Sequence, residues 1–163
     1  MRLFFLRHGI AEDSDLWQGE DSERPLTDQG KELIASEAKV LAELDLGIDA
    51  ILSSPFLRAY QTAEIVAREL KAQDILASSE LLGPGLDSRR LEELLSSHAE
   101  AEAPLLVGHE PDFSRTIGAV IGGGKVRCKK GSLVCVKLDG RSPPRGELLW
   151  SLPPSFLAGQ HGD

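Results

Sequence analysis

Short, unbroken apolar runs recur along this chain, and each is followed by an apolar repeat of helical period. "RLFFL" at 2–6 is followed by Ile34, Ala38, Leu41 and Leu44 at steps of four, three and three. "DAILSS" at 49–54 is followed by Phe56, Ala59, Ala63, Val66 and Leu70 at steps of three, four, three and four. Continuous apolar runs read as strands buried on both faces, and the stepped repeats as amphipathic helices. The pattern continues with a weaker strand at Asp74–Ser78, a "GPG" loop, a helix over Asp87–Ser97 and a strand in "APLLVGH" at 103–109. A further helix opens at Pro111 and Asp112 and runs to about Ile121, where glycines 122–124 end it. "SLVCVKL" and "ELLWSL" read as strands joined by a turn from Asp139 to Gly146. Alternation of this kind implies an α/β fold, a mostly parallel sheet with helices on both faces. The 163 residues, 41 % hydrophobic and 27 % charged, fit one domain, residues 1–163, with a loose tail after Pro153.

Two local signals sharpen the boundaries. In "PLTDQG" at 25–30, Thr27 is an expected N-cap and Asp28 a favourable first-turn acid. Pro55 is placed where the first position of the second helix tolerates it.

Charge and cysteine usage narrow the function classes. A formal net charge of −8 argues against nucleic acid as a bulk partner, which needs an accumulated positive field. The first apolar run is too short for a signal peptide and no stretch reaches the length of a membrane span, so a cytoplasmic protein without membrane contact is expected. Cys128 and Cys135 form no C-x-x-C pair and are expected as reduced thiols. "KVRCKK" at 125–130 reads first as a solvated loop or strand edge; docking of an acidic partner is the sharper reading. "GGGK" at 122–125 lacks the glycine and the Ser or Thr of a phosphate-binding loop, having Ala119 and Val126 there, and reads as a helix end.

In open parallel sheets, ligands bind outside the carboxyl ends of the strands. Arg7, His8 and Gly9 close the first strand, Ser53 and Ser54 the second with Arg58 one helical turn later, and Gly108 and His109 the fourth. Two histidines and two arginines on one edge are costly to bury without a partner. The guanidinium fork matches phosphate oxygens, and the helix after His109 presents its N-terminus. Flanking guanidiniums and the lack of H-E-x-x-H disfavour a metal site, so no metal or cofactor is expected. His98 and His161 read as isolated histidines, and Thr62, on the helix face of Arg58, as a supporting residue.

"LRHG", "SSPFLRAYQTA" and "LLVGHEPDFS", in that order, resemble the histidine phosphatase superfamily. The compact length and "DSERPLTDQG" resemble its SixA-type phosphohistidine phosphatase branch over nearly the whole chain, to about Leu152. The resemblance implies a phosphoglycerate mutase-like fold and His8 as the nucleophile, phosphorylated in turn and then hydrolysed. It implies Arg7 and Arg58 gripping the phosphoryl oxygens, His109 completing the pocket, and Asp21 and Arg24 near the phosphate. Physical chemistry is consistent with these roles. A loose phosphoryl-transfer transition state spreads charge over three oxygens, which arginines and a protonated histidine would stabilise. Neighbouring positive charge would keep His8 neutral, and Gly9 would let backbone approach the bound group or simply end the strand.

Many relatives carry a glutamate acid after the third strand, where this chain offers only Glu80 and Asp87, neither in the expected motif. Glu80 and Asp21 are the candidate proton donors. A weak acid matters less for phosphohistidine, whose imidazole leaves readily, than for an alkyl phosphate. The reading is therefore dephosphorylation of a phosphorylated protein, such as a histidine phosphotransfer domain. The alternatives are hydrolysis of a small phosphate ester and, from another class, a non-catalytic phosphate-binding module.

Overall fold

A computed structural model of the protein describes residues 1–157. Six strands form one sheet: β1 (Arg2–Arg7), β2 (Ala50–Ser53), β3 (Leu76–Ser78), β4 (Pro104–Gly108), β5 (Leu133–Arg141) and β6 (Pro144–Leu152), in the order β3-β2-β4-β1-β5-β6. β3, β2, β4 and β1 are mutually parallel, whereas β5 runs antiparallel to β1 and pairs with β6 as a hairpin. The expected mostly parallel sheet is thus extended by one antiparallel hairpin at its edge.

Helices α1 (Asp28–Leu44), α2 (Leu57–Glu69), α3 (Ser88–Ser97) and α4 (Asp112–Val120) connect or flank the strands. Side-chain alternation in β1 sorts them onto two faces. Phe4 and Leu6 join Ile34, Ala38 and Leu41 of α1 and the alanine-rich face of α2 in one core. Leu3 and Phe5 join Leu91, Leu94 and Leu95 of α3 and Phe113, Ile117 and Val120 of α4 in the other. Thr27 caps α1 by accepting the Gly30 N–H at 2.9 Å, and Asp87 caps α3 by accepting the Arg90 N–H at 2.9 Å.

Four expected boundaries shift: the third strand begins at Leu76 rather than at Asp74, because Gln73–Ile75 forms a 3-10 turn, and three others follow. The second helix starts at Leu57 rather than at Pro55: the Ser54 hydroxyl accepts the Phe56 N–H, and Phe56 takes extended backbone as the N-cap. The β5–β6 turn is only Ser142 and Pro143, since Gly140, Pro144 and Gly146 lie within the hairpin strands; β6 is an edge strand, where proline is tolerated. Within the stretch expected to be loose, Pro154–Leu157 forms a short helix, α5, and Leu157 is buried in the α1–α2 core. Residues 158–163 of that stretch, including His161, lie outside the described residues. No helix among the described residues is long and apolar enough to cross a membrane.

Candidate active site

β1, β2 and β4 are neighbours, so their carboxyl ends bring Arg7, Ser53 and Gly108 to one edge of the sheet. A cavity of about 760 Å³ opens there, lined by Arg7, His8, Arg24, Arg58 and His109 among others. The two imidazoles lie with ring centroids 5.2 Å apart, 6 % and 5 % exposed.

Each side chain is held by a specific neighbour. His8 Nδ1 lies 2.8 Å from the Gly9 carbonyl oxygen, which can only accept, so Nδ1 carries the proton and Nε2 keeps its lone pair. Burial is the main cause that pushes the His8 pKa down to about 3; the Gly9 carbonyl opposes it, and His109, Arg58 and Arg7 add to it. His109 Nε2 lies 2.8 Å from the Ser54 hydroxyl, and Phe56 packs edge-on against the His109 ring. Burial, then Arg58, pushes the His109 pKa down to about 4. Both imidazoles are therefore neutral near pH 7. The neutrality of His8 owes more to burial than to neighbouring charge.

Positive charge in the cavity comes instead from guanidiniums. Arg58, 5 % exposed, donates Nη1 to the Asp21 carbonyl at 2.7 Å and Nη2 to the Asp21 carboxylate at 3.0 Å. Arg24 donates Nε to the same carboxylate at 2.9 Å and Nη1 to the Glu12 carbonyl at 2.7 Å. Arg7 donates Nη1 to the Cys128 carbonyl at 2.9 Å. The Nε atoms of Arg7 and Arg58 and His109 Nδ1 are buried without a protein partner. Buried donors of this kind call for an acceptor, and a phosphoryl group supplies three oxygens.

Asp21 does not line the cavity; it clamps two arginines that do. Burial raises its pKa, but the hydrogen bonds and charges of Arg24 and Arg58 outweigh that and hold the carboxyl below its ordinary range. An acid held ionised is a poor proton donor, so Asp21 is a positioning residue. Glu80 is exposed in a 3-10 turn at Glu80–Leu82 and also lies outside the cavity lining, so the structure brings neither candidate donor into the cavity. Thr62 supports the site as expected: its hydroxyl accepts the Gly9 N–H at 3.1 Å and donates to the Arg58 carbonyl at 2.7 Å, tying the end of β1 to α2. Gly9 answers to packing rather than to a ligand, since a Cβ there would lie 2.7 Å from Ile34 Cγ1.

Several lining residues were not singled out for the site from the sequence. Lys130, read with its neighbours as solvated, lines the cavity, as does Arg115. Arg115 had a usable signal, a cation in the first turn of the helix that follows a strand end, as Arg58 is, though two positions later in its helix. Glu12, Asp13, Glu110 and Asp112 also line it, and Asp112 accepts the Gly85 N–H at 2.7 Å. Among the described residues no group of three or more His, Cys, Asp or Glu converges as metal ligands.

A buried histidine pair set among guanidiniums at a strand-end cavity of an α/β sheet is an arrangement suited to a phosphate group. The chain belongs to the histidine phosphatase superfamily (branch 1), whose family model matches residues 3–82. An uncharacterized protein of Picosynechococcus sp. is 39 % identical over 121 residues, 74 % of this chain and 73 % of the relative. The structure of the protein histidine phosphatase SixA complexed with tungstate matches at a TM-score of 0.85 and 28 % identity, covering 96 % of this chain and 99 % of that one. At the level of fold alone, the alpha-ribazole phosphatase of Shigella flexneri matches at a TM-score of 0.70, 19 % identity, 94 % of this chain and 97 % of that one. A mycobacterial glucosyl-3-phosphoglycerate phosphatase matches at 0.69, 17 % identity, 91 % of this chain and 96 % of that one.

Proposed function

We propose that this phosphatase removes the phosphoryl group from a phosphohistidine carried by a protein, using His8 as nucleophile and no metal. The observation that carries the reading is the state of His8: neutral, with Nδ1 engaged by the Gly9 carbonyl, it offers Nε2 as the attacking nitrogen. Nε2 attacks phosphorus of a phosphohistidine whose other ring nitrogen is protonated; the P–N bond breaks with its electron pair staying on the departing nitrogen, and a neutral imidazole leaves. Arg7, Arg58 and Arg24 hold the equatorial oxygens, and His109 lies beside His8. Water then attacks the phosphorylated His8, the new P–N bond breaks and inorganic phosphate leaves. Imidazole is a good leaving group, which suits a site whose Asp21 is committed to arginines and whose Glu80 is remote. The SixA match supports a protein substrate.

A second reading, hydrolysis of a small phosphate ester, is favoured by one observation. Glu12, Asp13, Glu110 and Asp112 line the cavity, and any of them within reach of the ester oxygen could supply the proton an alkoxide needs. The alpha-ribazole and glucosyl-3-phosphoglycerate phosphatases of like fold act on such esters by name.

The test is turnover, in EDTA, of a histidine-phosphorylated phosphotransfer protein against a panel of small phosphomonoesters, with His8→Ala beside the wild type. Rapid-quench mass spectrometry would locate a phosphoryl group on His8 during turnover. Preference for the phosphoprotein, lost in His8→Ala, supports the reading; preference for an ester establishes the second one. Binding of phosphate with no turnover of either would identify a non-catalytic module.

A further inference from the structure

Beside the catalytic cavity runs a second, larger depression of about 1010 Å³. Its walls are α4 and the segment 122–129, and it shares Arg7, Glu110 and Arg115 with the catalytic cavity, so the two are continuous. Three consecutive glycines, Gly122, Gly123 and Gly124, all at positive φ, turn the chain out of α4 and into a stretch without regular secondary structure. From there the side chains alternate. Val126 and Cys128 point inward and pack in the α3–α4 core, while Lys125, Arg127 and Lys129 are exposed. None of the three has a carboxylate within ion-pairing distance among the described residues. Nor do the backbone N–H groups of 125–130 find a hydrogen-bond acceptor there.

We propose that this groove is the docking surface for an acidic segment of the phosphorylated protein, engaged while its phosphohistidine enters the cavity. The inference rests on the protein-substrate reading above. The argument is charge complementarity. A chain of net charge −8 repels acidic proteins in general, yet it sets three unpaired cations in a row on a strip that runs into its active site. A strip with free N–H groups also suits a partner that supplies carboxylates or carbonyls. A small ester bound in the catalytic cavity would not reach Lys125, Arg127 or Lys129, none of which lines that cavity.

The experiment compares wild type with Lys125→Glu/Arg127→Glu/Lys129→Glu, and with the milder triple glutamine variant in case the reversal misfolds. kcat/KM is measured on a histidine-phosphorylated phosphotransfer protein and on free phosphohistidine, from about 50 to about 300 mM salt. The expected result is a fall of about 10-fold or more on the phosphoprotein at low salt, a flattened salt dependence, and unchanged turnover of free phosphohistidine. Equal kcat/KM on the phosphoprotein for variant and wild type, or a parallel loss on both substrates, overturns the proposal. A change only in aggregation, with both activities intact, also overturns it and assigns the cations to guarding an unpaired edge. If the wild type itself turns over small esters and ignores the phosphoprotein, the function reading has failed first and takes this inference with it.

Discussion

The stability of this protein should pass through a maximum near pH 6.5, and three buried groups set its shape. His8 and His109 have folded pKa values of about 3 and about 4 against an ordinary 6.5. Their contribution is complete above pH 6.5 and is lost as pH falls toward those values, because only the unfolded chain takes up the protons. Glu37 has the opposite sign. It lies on α1, 2 % exposed, with the backbone at Gly131 packed over its carboxyl, whose Oε2 has no partner. Burial pushes its pKa from 4.5 up to about 8, so its contribution is complete below pH 4.5 and is lost as pH rises through 8. Between pH 4.5 and 6.5 the unfolded chain holds two extra imidazole protons and the folded chain one extra carboxyl proton. The net of one gives a stability that climbs with pH by about 1.4 kcal/mol per unit. From pH 6.5 to 8 Glu37 is the one of these three groups that still differs, and its contribution falls at about the same slope of 1.4 kcal/mol per unit. Urea unfolding in phosphate-free buffers of constant ionic strength measures this directly; phosphate is excluded because a native-state ligand would mask the slopes. Glu37→Gln should abolish the falling limb and roughly double the rising one. A wild-type stability that is level or still rising between pH 6.5 and 8 would refute the reasoning, as would a Glu37→Gln profile that keeps the falling limb.

Asp21→Ala removes the carboxylate shared by Arg24 and Arg58 and should lower kcat/KM by about 10- to 100-fold through misplaced guanidiniums. Its cost in stability should be about 1–3 kcal/mol, because the Asp21 side chain is 56 % exposed but its loss leaves the buried Arg58 guanidinium without its carboxylate. Steady-state kinetics and urea midpoints together check it, and unchanged turnover would remove Asp21 from the site. Gly30→Ala should destabilise by about 1–3 kcal/mol or more, since a Cβ there would overlap the Ile10 carbonyl where α1 crosses the chain leaving β1. A urea midpoint equal to wild type would show that this crossing is looser than described.

The sequence exposed the parts of the site that depend on connectivity. Arg7, His8, Arg58 and His109 were legible because a parallel sheet places strand ends on one edge whatever its strand order. Lys130 was not, because its access to the cavity depends on how the segment after α4 folds back toward Arg7, through Gly131 N–H to the Arg7 carbonyl and Arg7 to the Cys128 carbonyl. Nothing in the local pattern of "KVRCKK" separates Lys130 from the three cations outside the cavity. The hairpin turn was read too long for a related reason: glycine and proline mark turns in a local reading, but an edge strand accommodates both.

Charge state was the least legible property, because burial decides it and burial is a result of the whole fold. The same desolvation that acts on every nitrogen in this cavity divides them into two kinds. Arg7 and Arg58 are also pulled down by burial, yet they start from 12.5 and stay charged, whereas the two imidazoles start from 6.5 and become neutral. One environment thus leaves His8 Nε2 with a free lone pair beside cations that keep their protons. The need for a carboxylate falls instead on Asp21, whose ionised form holds Arg24 and Arg58 in register. An acid recruited to orient the cations is one withdrawn from proton transfer, so a proton donor for an ester would have to come from Glu12, Asp13, Glu110 or Asp112, which line the cavity.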